Sequence, residues 1–150
     1  MLRVYLAGPI SGLSLEECVS WRQAVSEACA DMEIEFFSPL RGKAYLQGIK
    51  SIDPIVQMDA VKYPLSTTKG IITRDHFDVN RADVLFVNFL GAKRVSIGTI
   101  AEMAWAYAQH KPIITVMDTD NPHQHAFVRE MSGFILPDLP GGIQVLRSIV

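Results

Sequence analysis

The chain has 150 residues, 49% of them hydrophobic and 20% charged, and a formal net charge of −2. This length and composition fit one globular domain, residues 1–150, with a substantial core and no room for a second domain. There is no basic stripe or run of like charge, which argues against long nucleic acid, and no apolar stretch approaches the roughly 20 residues of a membrane span. Met1-Leu2-Arg3-Val4 passes directly into a strand pattern without a signal-peptide layout, so a cytoplasmic protein with a small-molecule ligand is expected.

Residues 3–7 read as a strand whose alternation sends Val4 and Leu6 to one face and Tyr5 to the other. Gly8-Pro9-Ile10-Ser11-Gly12 breaks it with turn residues, so Tyr5, Gly8 and Pro9 fall at the carboxyl end of a strand, where open α/β sheets bind ligands. Tyr5 fits a core aromatic with a satisfied hydroxyl equally well. Ser14 and Glu17 then cap a helix with Val19, Ala24, Val25, Ala28 and Met32 as its expected buried stripe. Cys18 and Cys29 stand eleven residues apart on that helix, about 16 Å along its axis, too far for a disulfide, and read as reduced thiols. Residues 34–38 form a second strand and 39–42 a turn. Residues 43–69, with Pro54 and Pro64, read as an irregular connection with short helices, the usual form of a lid or binding loop.

Residues 71–83 read as a helix anchored by Phe77 and Val79, with Asp75 and Asp78 as charges near its start and His76 as a surface histidine. The apolar run 84–90 is a buried strand. It leads into Ser96-Ile97-Gly98-Thr99-Ile100-Ala101-Glu102, the opening of a helix continuing to His110. Gly98 lets backbone approach a ligand closely, and a helix start stabilises an anion such as the Glu102 carboxylate, placed in the first turn. Thr99-x-x-Glu102 also reads as a capping box with no further role. Residues 112–117 form a fourth strand. The polar loop 118–125 carries His123 and His125, a weak metal signal without carboxylate or cysteine company. Residues 134–136 suggest a fifth strand and 142–150 a closing helix. Alternating strands and helices imply a mainly parallel sheet covered on both faces.

Tyr5-Leu6-Ala7-Gly8-Pro9, Arg74-Asp75 followed by Ala82-Asp83-Val84, and Ser96-x-Gly98-Thr99-x-x-Glu102 occur in the order seen in the nucleoside 2-deoxyribosyltransferases and their relatives, the nucleoside 5′-monophosphate N-glycosidases. The chain resembles that family over residues 1–117. The resemblance implies a flavodoxin-like, doubly wound α/β domain of about five mainly parallel strands that cleaves the N-glycosidic bond of a 2′-deoxynucleoside. Glu102 matches the family's nucleophile, Asp75 the carboxyl that protonates the departing base, and Tyr5 the tyrosine that holds the nucleophile. Many transferases carry an aspartate where Ser96 stands, whereas the monophosphate-cleaving relatives carry serine there. Those relatives also have a basic residue in the first loop, where this chain has Ser11. A homo-oligomer is implied, with a residue of a neighbouring subunit, loosely matching His125, closing the site. The expected partners are a nucleoside or nucleotide and a free nucleobase, with no metal or organic cofactor. Base transfer is the leading expectation, with nucleotide hydrolysis and a catalytically silent nucleotide-binding module as alternatives.

Overall fold

The computed structural model describes residues 1–55 and 58–150; Val56 and Gln57, inside the connection expected to be irregular, lie outside the described residues. Strands and helices alternate strictly: β1 (Leu2–Ala7), α1 (Leu15–Ala28), β2 (Ile34–Phe37), α2 (Thr68–Arg81), β3 (Val84–Asn88), α3 (Ile97–Ala108), β4 (Ile113–Val116), α4 (Ala126–Met131), β5 (Phe134–Leu136) and α5 (Leu139–Ile149). The connection before α2 carries two short 3-10 turns, Ala44–Leu46 and Pro64–Ser66. All five strands are parallel, in the order β2-β1-β3-β4-β5, a flavodoxin-like arrangement. Strand order reverses between β1 and β3, so the crevice beyond their carboxyl ends is the place where such sheets bind ligands.

Alternation along β1 divides the core. Val4 and Leu6 join Val84, Phe86, Ile114 and Val116 under α1 and α5, with Val25 and Leu146 packed onto them. Tyr5 and Ala7 join Leu85, Val87 and Ile113 under α2 and α3, which contribute Val79, Met103 and Ala106. Each such large apolar side chain contributes about 1.5–3 kcal/mol by leaving water. The register pairs Tyr5 with Leu85 and Ala7 with Val87, so the inner ends of β1 and β3 are held side by side.

Several local expectations are corrected. On α1 the buried positions are Cys18, Arg22 and Val25, with Cys29 buried at the C-cap, while Ala24 and Ala28 are exposed. This stripe runs at spacings of four, three and four, and it includes an arginine because backbone carbonyls satisfy the guanidinium. α2 begins at Thr68, with the Thr67 side chain accepting the Gly70 N–H. Asp75 and Asp78 are therefore interior to the helix, not caps at its start. Phe77 is 60% exposed and anchors nothing in the core, unlike Val79. The closing helix starts three residues earlier than expected, because Asp138 caps it and Pro140 is tolerated in the first turn.

Candidate active site

α3 starts one turn earlier than a Thr99–Glu102 capping box would require. Ser96 is the N-cap: its Oγ accepts the Thr99 N–H at 3.5 Å and pairs with the Thr99 Oγ1 at 2.8 Å. Thr99 is thus the third residue of the helix and Glu102 the sixth, in the second turn and not the first. The Glu102 carboxylate does not reach back to cap the helix. It points toward the sheet, where the Tyr5 hydroxyl donates to its Oε1 at 2.7 Å. This contact joins residues 97 apart in sequence and follows from the fold: Tyr5 lies on the sheet face that α3 covers.

Glu102 is only 7% exposed. Burial pushes its pKa up to about 8, and the nearby Asp75 carboxylate adds to the rise; the Tyr5 hydrogen bond, Arg22 and Lys43 oppose it. Burial also raises Asp75, itself 7% exposed, with Lys43 and Arg74 pulling the other way. Both carboxyl groups are thus shifted toward their protonated forms, Glu102 by burial and by Asp75, and Asp75 by burial. Tyr5, packed against them, is held neutral, its pKa raised by burial and then by Glu102.

Of the three aspartates around α2, Asp75 is the one that lines a cavity. Asp78 is fully buried between Arg41 at 3.0 Å and Arg81 at 2.8 Å, and Asp83 accepts the Arg3 backbone N–H at 2.8 Å. Asp75 and Glu102 together line a cavity of about 660 Å³ at the carboxyl ends of β1 and β3. Gly8, Pro9, Ser96 and Gly98 line it as well. A side chain at Gly8 would collide with the Asn88 carbonyl oxygen and the Trp21 ring, each 2.9 Å from where a Cβ would sit, so glycine is needed to bring the loop this close. The space over Gly98 is open. An ionisable carboxylate facing a cavity beside a second, protonatable carboxyl is able to attack an electrophilic carbon while its neighbour supplies a proton.

A model of the family described as nucleoside 2-deoxyribosyltransferase matches residues 4–145. The chain belongs to this family. Among solved structures, it is similar to a 2-deoxyribosyltransferase from Bacillus psychrosaccharolyticus (17% identity, 93% of this chain and 88% of that one covered, TM-score 0.64). It is similar also to a CMP N-glycosidase from Clostridium botulinum (16% identity, 97% and 98% covered, TM-score 0.55). A third is a molybdenum cofactor binding protein from Rippkaea orientalis (15% identity, 99% and 96% covered, TM-score 0.58). At these identities the likenesses show a shared fold. No curated protein sequence matches the chain.

In this member of the family, Tyr5, Asp75, Glu102, Gly8, Pro9, Ser96 and Gly98 converge on one region. His125 does not join them within its own chain: it is exposed, and its Nδ1 accepts the Phe127 N–H at 3.2 Å to cap α4. The histidine that reaches the site is His123. Its ring is buried, stacked on Phe89 with centroids 3.7 Å apart, and its Nε2 accepts the Ser96 backbone N–H at 2.8 Å. That bond requires an unprotonated Nε2, so the ring proton sits on Nδ1 and is donated to Asn121 Oδ1 at 2.8 Å. Both ring nitrogens are engaged. No group of three potential metal ligands occurs among the described residues.

Three basic residues that sequence reasoning passed over complete this site. Arg22 donates to the carbonyls of Leu6 at 3.1 Å and Gly8 at 3.2 Å, and to that of Cys18, fixing the loop after β1. Its pKa is pushed down to about 10 by burial. Lys43 is buried on the cavity wall, and Arg94 places its guanidinium over Gly12, whose φ of 85° favours glycine and whose missing side chain leaves the room. The stripe Cys18-Arg22-Val25 gave a signal for Arg22. Lys43 and Arg94 lie in turns, where no periodicity marks a side chain as inward.

Proposed function

We propose that the protein cleaves the N-glycosidic bond of a 2′-deoxynucleoside and transfers the sugar to a second nucleobase. The Glu102 carboxylate attacks the anomeric carbon as the C–N bond breaks, and the electron pair leaves with the base nitrogen, which takes a proton from Asp75. The incoming base returns a proton to Asp75 and displaces Glu102, so two inversions restore the original configuration. Tyr5 orients Glu102 and helps it to ionise inside a buried site. The observation that carries this reading is that Glu102, held from behind by the Tyr5 hydroxyl, lines one cavity with Asp75 while Asp78 and Asp83 are tied up elsewhere.

A second reading, hydrolysis of a deoxynucleoside 5′-monophosphate, is favoured by one specific arrangement. Ser96, Ser11 and Arg94 all line the cavity, so a basic group absent from the first loop in sequence is delivered to it by Arg94. A guanidinium and two hydroxyls suit a phosphate, and an aspartate in place of Ser96 would repel it. The test is to incubate the protein with deoxynucleosides and deoxynucleoside monophosphates, each with and without a second base. Exchange that depends on the second base supports transfer; free sugar or sugar phosphate without it supports hydrolysis; no product in any mixture sinks both.

We also propose a homo-oligomer. Ile72 and Phe77 on α2, Ile97 on α3 and Phe127 on α4 are apolar and exposed in the single chain, and assembly across them is the means by which His125 of one copy would approach the cavity of another. Sedimentation at micromolar concentration tests this, and a monomer under all conditions would remove the role for His125.

A further inference from the structure

Lys43 is 5% exposed and lines the cavity with Asp75 and Glu102, yet among the described residues it forms no ion pair and donates no side-chain hydrogen bond. No buried side-chain polar atom lacks a partner among the described residues, so the Lys43 ammonium, which makes no such bond, opens on the cavity and can meet a ligand there. Its place on the wall defines what it meets. Lys43 follows the turn after β2 and lines the cavity together with Leu46, Ser66 and Ile71, and its charge is favoured by Asp75 more strongly than by Glu102. Arg94, Ser96 and Ser11 come instead from the entry to α3 and the loop after β1. With the anomeric carbon at Glu102, the Asp75 side is the nucleobase side.

We infer that Lys43 is a further catalytic residue, whose ammonium holds a carbonyl oxygen of the departing nucleobase, with a 2-oxopyrimidine as the favoured base. The inference rests on the N-glycosidic chemistry proposed above. When the C–N bond breaks, its electron pair goes to the base nitrogen and spreads onto the adjacent carbonyl oxygen. Lys43 donates a hydrogen bond to that oxygen, Asp75 delivers its proton to the base, and the new Asp75 carboxylate is left beside the same ammonium. No proton leaves Lys43. One cation therefore stabilises the leaving base and the conjugate base of the acid that serves it. Burial lowers the Lys43 pKa, and a bound base that accumulates negative charge reverses that pressure.

The test uses the whole protein and a series of pyrimidine deoxynucleosides with increasingly acidic bases: thymidine, 2′-deoxyuridine, 5-fluoro-2′-deoxyuridine and 5-nitro-2′-deoxyuridine. Lys43→Gln is expected to lower kcat/KM on thymidine by about 10²-fold, the usual scale for removing one preorganised donor, with the loss shrinking steadily toward the nitro compound. Lys43→Arg is expected to recover much of the rate. A loss of equal size across the series would overturn the proposal, since a structural defect does not sense base acidity. Binding supplies a readout without turnover. At pH 8, free 5-nitrouracil, an anion, is expected to bind wild type at least about tenfold more tightly than Lys43→Gln by calorimetry, on the Coulomb energy of one partly buried pair; equal affinities would overturn the proposal. Should Lys43→Gln not fold, Lys43→Met carries both comparisons. Lys43-dependent binding of 5-nitrouracil by a wild type that processes no deoxynucleoside would leave Lys43 as the base-holding cation and refute the glycosidic chemistry instead.

Discussion

The two faces of the sheet are built from the same strands but treat charge differently: the charge buried by α1, Arg22, is satisfied by backbone carbonyls. Under α1 and α5, Val4, Leu6, Phe86, Ile114 and Leu146 make an apolar layer. Under α2 and α3, the apolar layer of Ala7, Val87 and Met103 also holds Tyr5, whose hydroxyl meets Glu102 beside the cavity that Asp75 lines. The same contrast recurs within α2, where Asp78 is neutralised by arginines and Asp75, one turn earlier, is left facing a cavity. Asp75 keeps one ion pair, to Arg74 at 3.4 Å, where Asp78 has arginines at 3.0 and 2.8 Å, and a buried carboxyl so weakly paired at a cavity marks a candidate ligand site.

The largest effect in this contrast belongs to Glu102→Gln. Transfer is expected to fall by roughly 10³-fold or more, because a carboxamide neither attacks carbon nor faces positive charge, and no sugar adduct should appear in intact-mass spectra. Stability should move the other way. The native Glu102 has its pKa raised from 4.5 to about 8, so between those pH values the folded protein retains a proton that the unfolded chain has released, and stability falls as pH rises through this window. Glu102→Gln removes that penalty. Thermal melts at pH 5 and pH 8 should show little gain at pH 5 and a gain of several degrees at pH 8; a variant less stable than wild type at pH 8 would mean that Glu102 is not held against its ionisation.

Next comes the pair on α2. Asp75→Asn is expected to cost roughly 10²-fold or more in turnover on ordinary bases with a near-normal melt, the scale of a lost general acid. Asp78→Asn should do the reverse, lowering stability by about 2 kcal/mol, since it weakens a buried carboxylate's contacts to half-exposed arginines, while leaving the rate largely intact. Both variants losing the same amount of rate and stability would erase the distinction between them.

Tyr5→Phe should be milder, about tenfold in kcat/KM near neutral pH. Its hydroxyl favours the ionised form of Glu102, so its removal raises the Glu102 pKa further. Because the nucleophile must be ionised, activity should decline as pH falls below about 8 in wild type, and this acid limb should move to higher pH in the variant. An unmoved limb would show that the limb reports another group.

How much of this was readable from sequence depended on whether a residue's surroundings were local. Alternation in β1 predicted that Tyr5 faces away from Val4 and Leu6, and the strand–helix succession predicted the parallel sheet, because both are short-range patterns. Glu102 and Asp75 were found through resemblance and not by spacing, which argued for a capping box and for charges at a helix start. His123 and Lys43 were hidden for a different reason. Their surroundings come from segments far apart in the chain: Phe89 and Ser96 meet the histidine, the lysine shares its cavity with Asp75 and Ile71, and no window of sequence contains both sides. Ser11 was read correctly as non-basic, yet the basic group comes to that loop from Arg94.

The smallest effect concerns the start of α3, and it separates the two ways of capping that helix. A Thr99–Glu102 box would make Thr99 the residue whose loss frays the helix. The observed cap is Ser96, whose side chain accepts from Thr99 N–H through a long bond of 3.5 Å while its backbone N–H is held by His123. Ser96→Ala should therefore cost about 0.5–1 kcal/mol, at the low end for a lost N-cap because the bond is long and the backbone anchor survives. Thr99→Ala keeps the cap and loses only a hydroxyl pair, so it should cost less. Ser96→Ala has a second consequence that Thr99→Ala lacks: if a 5′-phosphate meets Ser96 and Arg94, monophosphate substrates should weaken by about 1 kcal/mol more than free nucleosides. Thermal melts and paired KM values for both variants settle the order. A Thr99→Ala protein less stable than Ser96→Ala would restore the Thr99 cap, and equal losses on both substrate types would take Ser96 out of phosphate recognition.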